Sequence, residues 1–236
     1  YVLKRDIFDF SDPAHNRQNT DGPVLRGIRA PRLQSEYNTH NSETSHKREV
    51  NEIFTSAVMR AHTEGNIPTE HPIVVLDAVT TETYNHLIKA KNKRTVFVVN
   101  YETKVCDEIV KLKNKSLMQV AKCSLSDFIS RPVPDEIPQY VAVFADYLCT
   151  FTGNSKCCPQ QDIRDMLTGR NIVQGGYLAT TVCLRDKRQG TFDAEYRRVT
   201  RSIQKSARKA KAVIKLKAKK RYKTMCFLLY KIVMYK

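Results

Sequence analysis

Several polar residues in this 236-residue chain stand where short apolar runs end, and their types can bind or orient a ligand. Asp77 follows PIVVL, Asn100 follows RTVFVV, Asp127 comes shortly after SLMQVAKC, and Asp146 follows YVAVFA. A carboxylate accepts hydrogen bonds and can orient or deprotonate a hydroxyl or amine, while an amide both donates and accepts. Thr80 and Thr81 stand where a helix begins after Asp77, so their hydroxyls can cap it and meet an anionic group there. Glu102 lies two residues beyond Asn100. Tyr147, next to Asp146, supplies a ring that stacks on a base or closes a pocket. A lone Asp at such a point can also do no more than start a turn.

These residues need a frame. From Ser45 the chain reads as an amphipathic helix with apolar positions at Val50, Ile53, Phe54, Ala57, Val58 and Ala61, closed by Gly65. Short apolar strands then alternate with helical stretches: PIVVLDA, RTVFVVNY, SLMQVAKCS, YVAVFADY and GGYLATTVCLRD are the strands. This alternation predicts βαβ units and a mainly parallel sheet covered on both faces. Right-handed crossovers bring the strand ends at 77, 100, 146 and 185 to one edge, where open α/β sheets hold ligands. The last two strands, AVIKLKAKKRYKT and TMCFLLYKIV, have no helix between them and must form an antiparallel hairpin. Residues 1–45, with Pro13, Pro23, Pro31 and a long polar run, read as an irregular extension that wraps the domain or meets a protein partner. The α/β domain is expected over residues 46–236.

Charge divides the chain unevenly. The net charge is +16, and from Arg185 to Lys236 there are 18 Lys and Arg against three acids. Such a basic quarter favours nucleic acid or another polyanion. The candidates are Arg197, Arg201, Lys205 and Arg208 on a helix, with Lys219, Lys220 and Arg221 in the hairpin. Strand alternation would put Lys215, Lys217 and Lys219 on one face. The plainer alternative is a solvated helix face beside an exposed strand.

Most of the seven cysteines (Cys106, Cys123, Cys149, Cys183 and Cys226) sit inside apolar runs, which predicts buried thiols in a reducing, intracellular setting. Cys149, Cys157 and Cys158 lack a paired C-x-x-C and a nearby His, so no metal site is expected. No apolar run is long enough for a membrane span, and the first residues lack the core and cleavage site of a signal peptide.

The order of elements resembles the class I S-adenosylmethionine-dependent methyltransferases, whose Rossmann-like seven-stranded sheet ends in an antiparallel strand. The resemblance covers roughly residues 46–236. It implies that Asp77, Thr80 and Thr81 border the methionine part of the cofactor, that Asn100 or Glu102 holds the ribose, and that Asp127 meets the adenine. It implies a catalytic position for Asp146 and Tyr147, which contact the substrate or orient the methyl group. The FADYLCT segment is also similar to methyltransferase-like proteins of large DNA viruses. One departure is clear: the family's first turn is glycine-rich, whereas AVTTET has no glycine to let a ligand approach the backbone. Base-amine methylation lacks its two prolines after Asp146, and a cytosine-type nucleophile lacks its Pro-Cys pair. Of the Lys-Asp-Lys-Glu set for ribose 2′-O-methylation, Lys47, Asp146 and Lys187 are in plausible places, but no Glu follows Glu195. Two functions follow from the resemblance. One is methyl transfer to nucleic acid or a nucleic-acid-associated protein. The other is an inactive methyltransferase-like structural or nucleic-acid-binding module, as in a viral assembly component.

Overall fold

The computed structural model describes residues 45–112, 116–130, 139–153, 157–184, 192–222 and 224–236. The expected extension therefore lies outside the described residues apart from Ser45, as does Lys187. The elements in order are α1 (Ser45–Thr63), β1 (Ile73–Leu76), α2 (Glu82–Lys89), β2 (Val96–Asn100), α3 (Thr103–Lys111), β3 (Met118–Lys122), α4 (Leu125–Ser130), β4 (Tyr140–Thr150), α5 (Pro159–Thr168), β5 (Ile172–Cys183), α6 (Phe192–Lys209), β6 (Ala212–Tyr222) and β7 (Met225–Tyr235).

The strands form one seven-stranded sheet in the order β3-β2-β1-β4-β5-β7-β6. β1 to β5 run parallel, and β7 enters antiparallel between β5 and the edge strand β6. Winding from β1 proceeds one way through β2 and β3, then resumes on the other side with β4 and β5. The switch point thus falls between β1 and β4, where a crevice opens outside the carboxyl ends of such a sheet. Val75 pairs with Phe144, so two residues further on Asp77 and Asp146 flank that crevice.

Strand alternation divides the core. On one face Phe54 and Val58 of α1, Leu87 of α2 and Ile109 of α3 pack against Phe144 and Phe227. On the other, Ile129 of α4, Met166 of α5 and Ile203 of α6 pack against Val143, Ala145 and Tyr147. Phe144 sits between Phe54 and Phe227, with ring centroids 5.0 and 5.7 Å away. No described helix is long and apolar enough to cross a membrane.

Of the register shifts in the β4–β5 and β6–β7 pairings, two shape the β4-β5-β7-β6 half of the sheet most. The β4–β5 pairing shifts between Tyr140 and Ala142, opposite Gly175 and Gly176. Gly175 has φ of 87°, and a Cβ at Gly176 would lie 2.5 Å from the Val141 carbonyl oxygen. Backbone cannot yield as a side chain does. Gly176→Ala is therefore expected to cost about 1–3 kcal/mol, read as a lower urea midpoint at unchanged slope.

The second irregularity corrects the expectation for the basic hairpin. The β6–β7 register shifts between Leu216 and Ala218, and a bulge flips the faces beyond it. Lys219 consequently lies over the Tyr196 ring of α6 at 3.7 Å. Lys215 instead pairs with Lys231, which lies over Tyr177 on the α1 face.

Candidate active site at the carboxyl edge

The first turn of α1 lies over the carboxyl edge of the sheet. His46 stacks on Tyr222 of β6 with ring centroids 5.9 Å apart, and Glu49 pairs with Lys220. Between these contacts the Lys47 Nζ stands 3.6 Å from Asp146 Oδ2 and 3.6 Å from Glu82 Oε2. Asp146 also accepts a hydrogen bond from the Thr181 hydroxyl of β5. The side chains of Lys47, Asp146 and Glu82 are only 24%, 13% and 11% exposed, so water screens them weakly. Burial alone would lower the Lys47 pKa. Asp146, Asp77 and Glu82 together outweigh it and leave the ammonium above its ordinary value.

Asp77 is 4% exposed and turns its carboxylate back into the fold. It accepts from the Tyr84 N–H at 3.0 Å and, more weakly, from the Thr83 N–H at 3.5 Å, so it caps α2. Burial pushes its pKa from 3.8 to about 6, against the opposing pull of Lys47 and these N–H groups. The folded carboxyl thus keeps its proton to higher pH than the unfolded one, and stability falls as pH rises from about 4 to about 6. Two pH units of this kind correspond to about 3 kcal/mol. Asp77→Asn keeps an acceptor for Tyr84 and leaves Lys47 with two carboxylates. It is expected to flatten that pH dependence and raise the melting temperature at neutral pH, measured by thermal unfolding at about pH 4.5 and 7.5.

The turn after β1 differs from the expected cap. Thr81 is buried in the left-handed region at φ 48° and makes no side-chain cap hydrogen bond. An N-cap needs extended backbone, and Thr81 does not have it. A β-branched residue at positive φ is an outlier at a place that suits glycine. The turn therefore has a glycine-like path without glycine. Thr80 is exposed, and its carbonyl accepts from Asn85 Nδ2 at 3.0 Å.

Asn100 is likewise committed to the scaffold. Its Nδ2 donates to the Asp77 carbonyl at 3.1 Å, and its Oδ1 accepts from the Glu102 N–H at 2.9 Å. It thereby ties the ends of β1 and β2 together. Glu102 is half-buried at the start of α3. Asp127 is exposed and forms a reciprocal cap with Ser124, whose hydroxyl donates to Oδ2 at 2.6 Å and accepts from the Asp127 N–H at 3.0 Å. Glu102, Asp127 and Thr80 are thus the predicted cofactor contacts that retain access to solvent. Glu102 and Asp127 place polar side chains after β2 and β3, and Thr80 places one after β1. Asp77 and Asn100 fit a supporting role under the turn.

Asp146 and Tyr147 part company because neighbours on a strand point to opposite faces. β4 runs three residues past Tyr147 to Thr150, so neither residue is at its tip. Asp146 joins the Lys47 cluster, while Tyr147 is buried toward α5 and donates its hydroxyl to Asp162 Oδ2 at 2.6 Å. Burial raises the pKa of both partners. Beside them Cys149 and Cys157 bring their sulfurs to 3.1 Å. Among the described residues no three His, Cys, Asp or Glu side chains are arranged to hold a metal ion.

The predicted basic residues separate into two sides. Arg197, Arg201, Lys205 and Arg208 are all exposed and recur at helical spacing along one line of α6. Arg198 lies off that line and pairs with Glu195. Lys219 and Arg221 share the α6 face of β6, whereas Lys220 turns to Glu49 of α1. Glu82, Thr181 and Asp162 were missed as partners. Each sits inside a segment whose apolar pattern marks only a helix or a strand.

No family model matches the chain, and no curated protein matches it in sequence. Solved structures do resemble it in fold. A candidate methylase from Haemophilus influenzae is 16% identical, with a TM-score of 0.51 over 78% of this chain and 89% of its own. A candidate rRNA methylase from Clostridium thermocellum is 9% identical, with a TM-score of 0.53 over 83% of this chain and 100% of its own. A fibrillarin/Nop5p complex gives 12% identity and a TM-score of 0.50 over 78% and 83%. With the sheet order and the antiparallel β7, this likeness establishes that the chain has the Rossmann-like α/β fold of the class I S-adenosylmethionine-dependent methyltransferases.

Proposed function

We propose that this protein is an S-adenosylmethionine-dependent methyltransferase acting on nucleic acid or a nucleic-acid-associated protein. The observation that carries the reading is the meeting of Lys47 and Asp146 at the switch point, from elements almost a hundred residues apart. S-adenosylmethionine, when bound, supplies an electrophilic methyl group, so the protein has chiefly to align the acceptor and exclude water. Glu102 would hold the ribose hydroxyls, Asp127 the base, and Thr80 the polar end near the β1 turn. Asp146 would accept a hydrogen bond from the acceptor's O–H or N–H and fix its lone pair toward the methyl group. Lys47 is held as an ammonium by its carboxylate neighbours. It therefore positions Asp146 rather than serving as a base. The exposed row on α6, with Lys219 and Arg221 beside it, would take the phosphates of the substrate.

A second reading is supported by the turn after β1. Without glycine, and with Asp77 and Asn100 already committed, the same fold would serve as an inactive nucleic-acid-binding or structural module. Titration calorimetry with S-adenosylmethionine and S-adenosylhomocysteine distinguishes the two. The first reading expects micromolar binding, weakened at least tenfold by Glu102→Ala, which leaves the buried framework intact. No heat up to millimolar cofactor would overturn it in favour of the second.

A further inference from the structure

Cys149 lies near the end of β4 and Cys157 just before α5. Their sulfurs are in contact at 3.1 Å. Both are partly exposed, unlike the buried Cys106, Cys123 and Cys226. The backbone around them is held closely. The Gly153 N–H donates to the Thr150 carbonyl at 2.8 Å, and the Gln160 N–H to the Phe151 carbonyl at 3.1 Å. Gly153, at φ 75°, passes so near Cys157 that a Cβ would lie 1.9 Å from its carbonyl oxygen. Closing this contact to a covalent S–S bond requires a movement of only about 1 Å.

We propose that Cys149 and Cys157 are a redox-active dithiol that forms a reversible disulfide by exchange with a small-molecule disulfide such as glutathione disulfide. This pair is independent of the methyl-transfer reading. The Cys149 thiolate attacks one sulfur of the small disulfide, forming a mixed disulfide and releasing one thiolate. Cys157 then loses its proton to solvent, attacks the Cys149 sulfur and releases the second thiolate. Two protein thiols are oxidised, and one small disulfide is reduced to two thiols. A hydrogen bond from Cys157 favours the Cys149 thiolate over burial, which gives the direction of attack. In a reducing compartment such pairs act transiently as sensors rather than as permanent braces. Closure would tie the end of β4 to the start of α5, beside the Tyr147–Asp162 bond.

The full chain is incubated with glutathione disulfide, quenched with a thiol-alkylating reagent and weighed intact. The expected product carries two alkyl groups fewer than the reduced control, has also lost about 2 Da for the two thiol hydrogens, and yields a Cys149–Cys157 linked peptide. Dithiothreitol should reverse it. Cys158→Ser should leave this unchanged, whereas Cys149→Ser and Cys157→Ser should each lose the internal crosslink and stop at a glutathione adduct. Circular dichroism on each variant keeps misfolding separate from loss of the pair. Complete alkylation of both thiols after oxidation, a crosslink that requires Cys158, or a glutathione adduct without an internal crosslink in the wild type would each overturn the proposal.

Discussion

Under the reading in which α6 takes the phosphates of a nucleic acid, replacing Arg197, Arg201, Lys205 and Arg208 together with alanine is expected to weaken that binding by a few hundred-fold at physiological salt. Each cation that neutralises a phosphate adds roughly 0.7–0.9 to the slope of log affinity against log salt. Four such contacts add about 3, and a slope of 3 at about 0.15 M salt corresponds to about 10²–10³ in affinity. The four residues are exposed on one line of α6, so their removal leaves the core intact. Alanine also favours the helix. Fluorescence anisotropy with labelled RNA and DNA across a salt series reads both quantities. Lys215→Ala, on the opposite face of the sheet, should change neither appreciably. If the slope of the quadruple variant equals that of the wild type, the row is a solvated helix face.

Lys47→Met is expected to be the most damaging single change at the carboxyl edge. It leaves Asp146 and Glu82, both largely shielded, without the cation that stands 3.6 Å from each. Breaking a fully buried pair costs about 3–5 kcal/mol. Partial exposure of Lys47 reduces the expectation to about 2–3 kcal/mol. The signature is coupling: adding Asp146→Asn should recover part of the loss, because the charge left unpaired is then absent. Urea unfolding of the two single variants and the double variant measures it. If the single losses simply add, the contact has no energetic weight. Under the methyl-transfer reading, Lys47→Met should also lower turnover by at least tenfold. Wild-type turnover should show no rise that tracks Lys47 deprotonation between about pH 6 and 9. A rise that disappears in Lys47→Met would make Lys47 the base and refute its positioning role.

Much of the fold was legible because its signals are periodic. The alternation of β-branched runs with amphipathic helices marks parallel βαβ units, and the two helix-free strands at the end mark the hairpin. The strand-end positions of Asp77 and Asn100 were legible for the same reason. What each polar group faces was not. Asp77 and Asn100 are turned inward by hydrogen bonds to backbone that no pattern encodes. Asp146 and Tyr147 read as a pair, although alternation alone separates them once β4 continues to Thr150. Lys215 and Lys219 changed faces because one bulge, invisible in composition, lies between them. Lys47 and Asp146 belong to an incomplete Lys-Asp-Lys-Glu pattern, which does not by itself bring them together. The second partner of Lys47, Glu82, carries no signal beyond its place at the start of a helix.

The position of β6 gives the basic hairpin a second consequence. Among the described residues β6 is the border strand, and an eleven-residue border strand offers its outer backbone groups to any other strand. Here Val213 and Leu216 are also exposed, which would make the border adhesive. Lysines at 215, 217, 219 and 220 and the bulge at its middle oppose this, because a second copy would bring like charges and a mismatched twist against them. These lysines therefore keep copies of the protein apart by charge and the bulge does so by shape, so a polyanion that neutralised the lysines would remove the first barrier and leave the second.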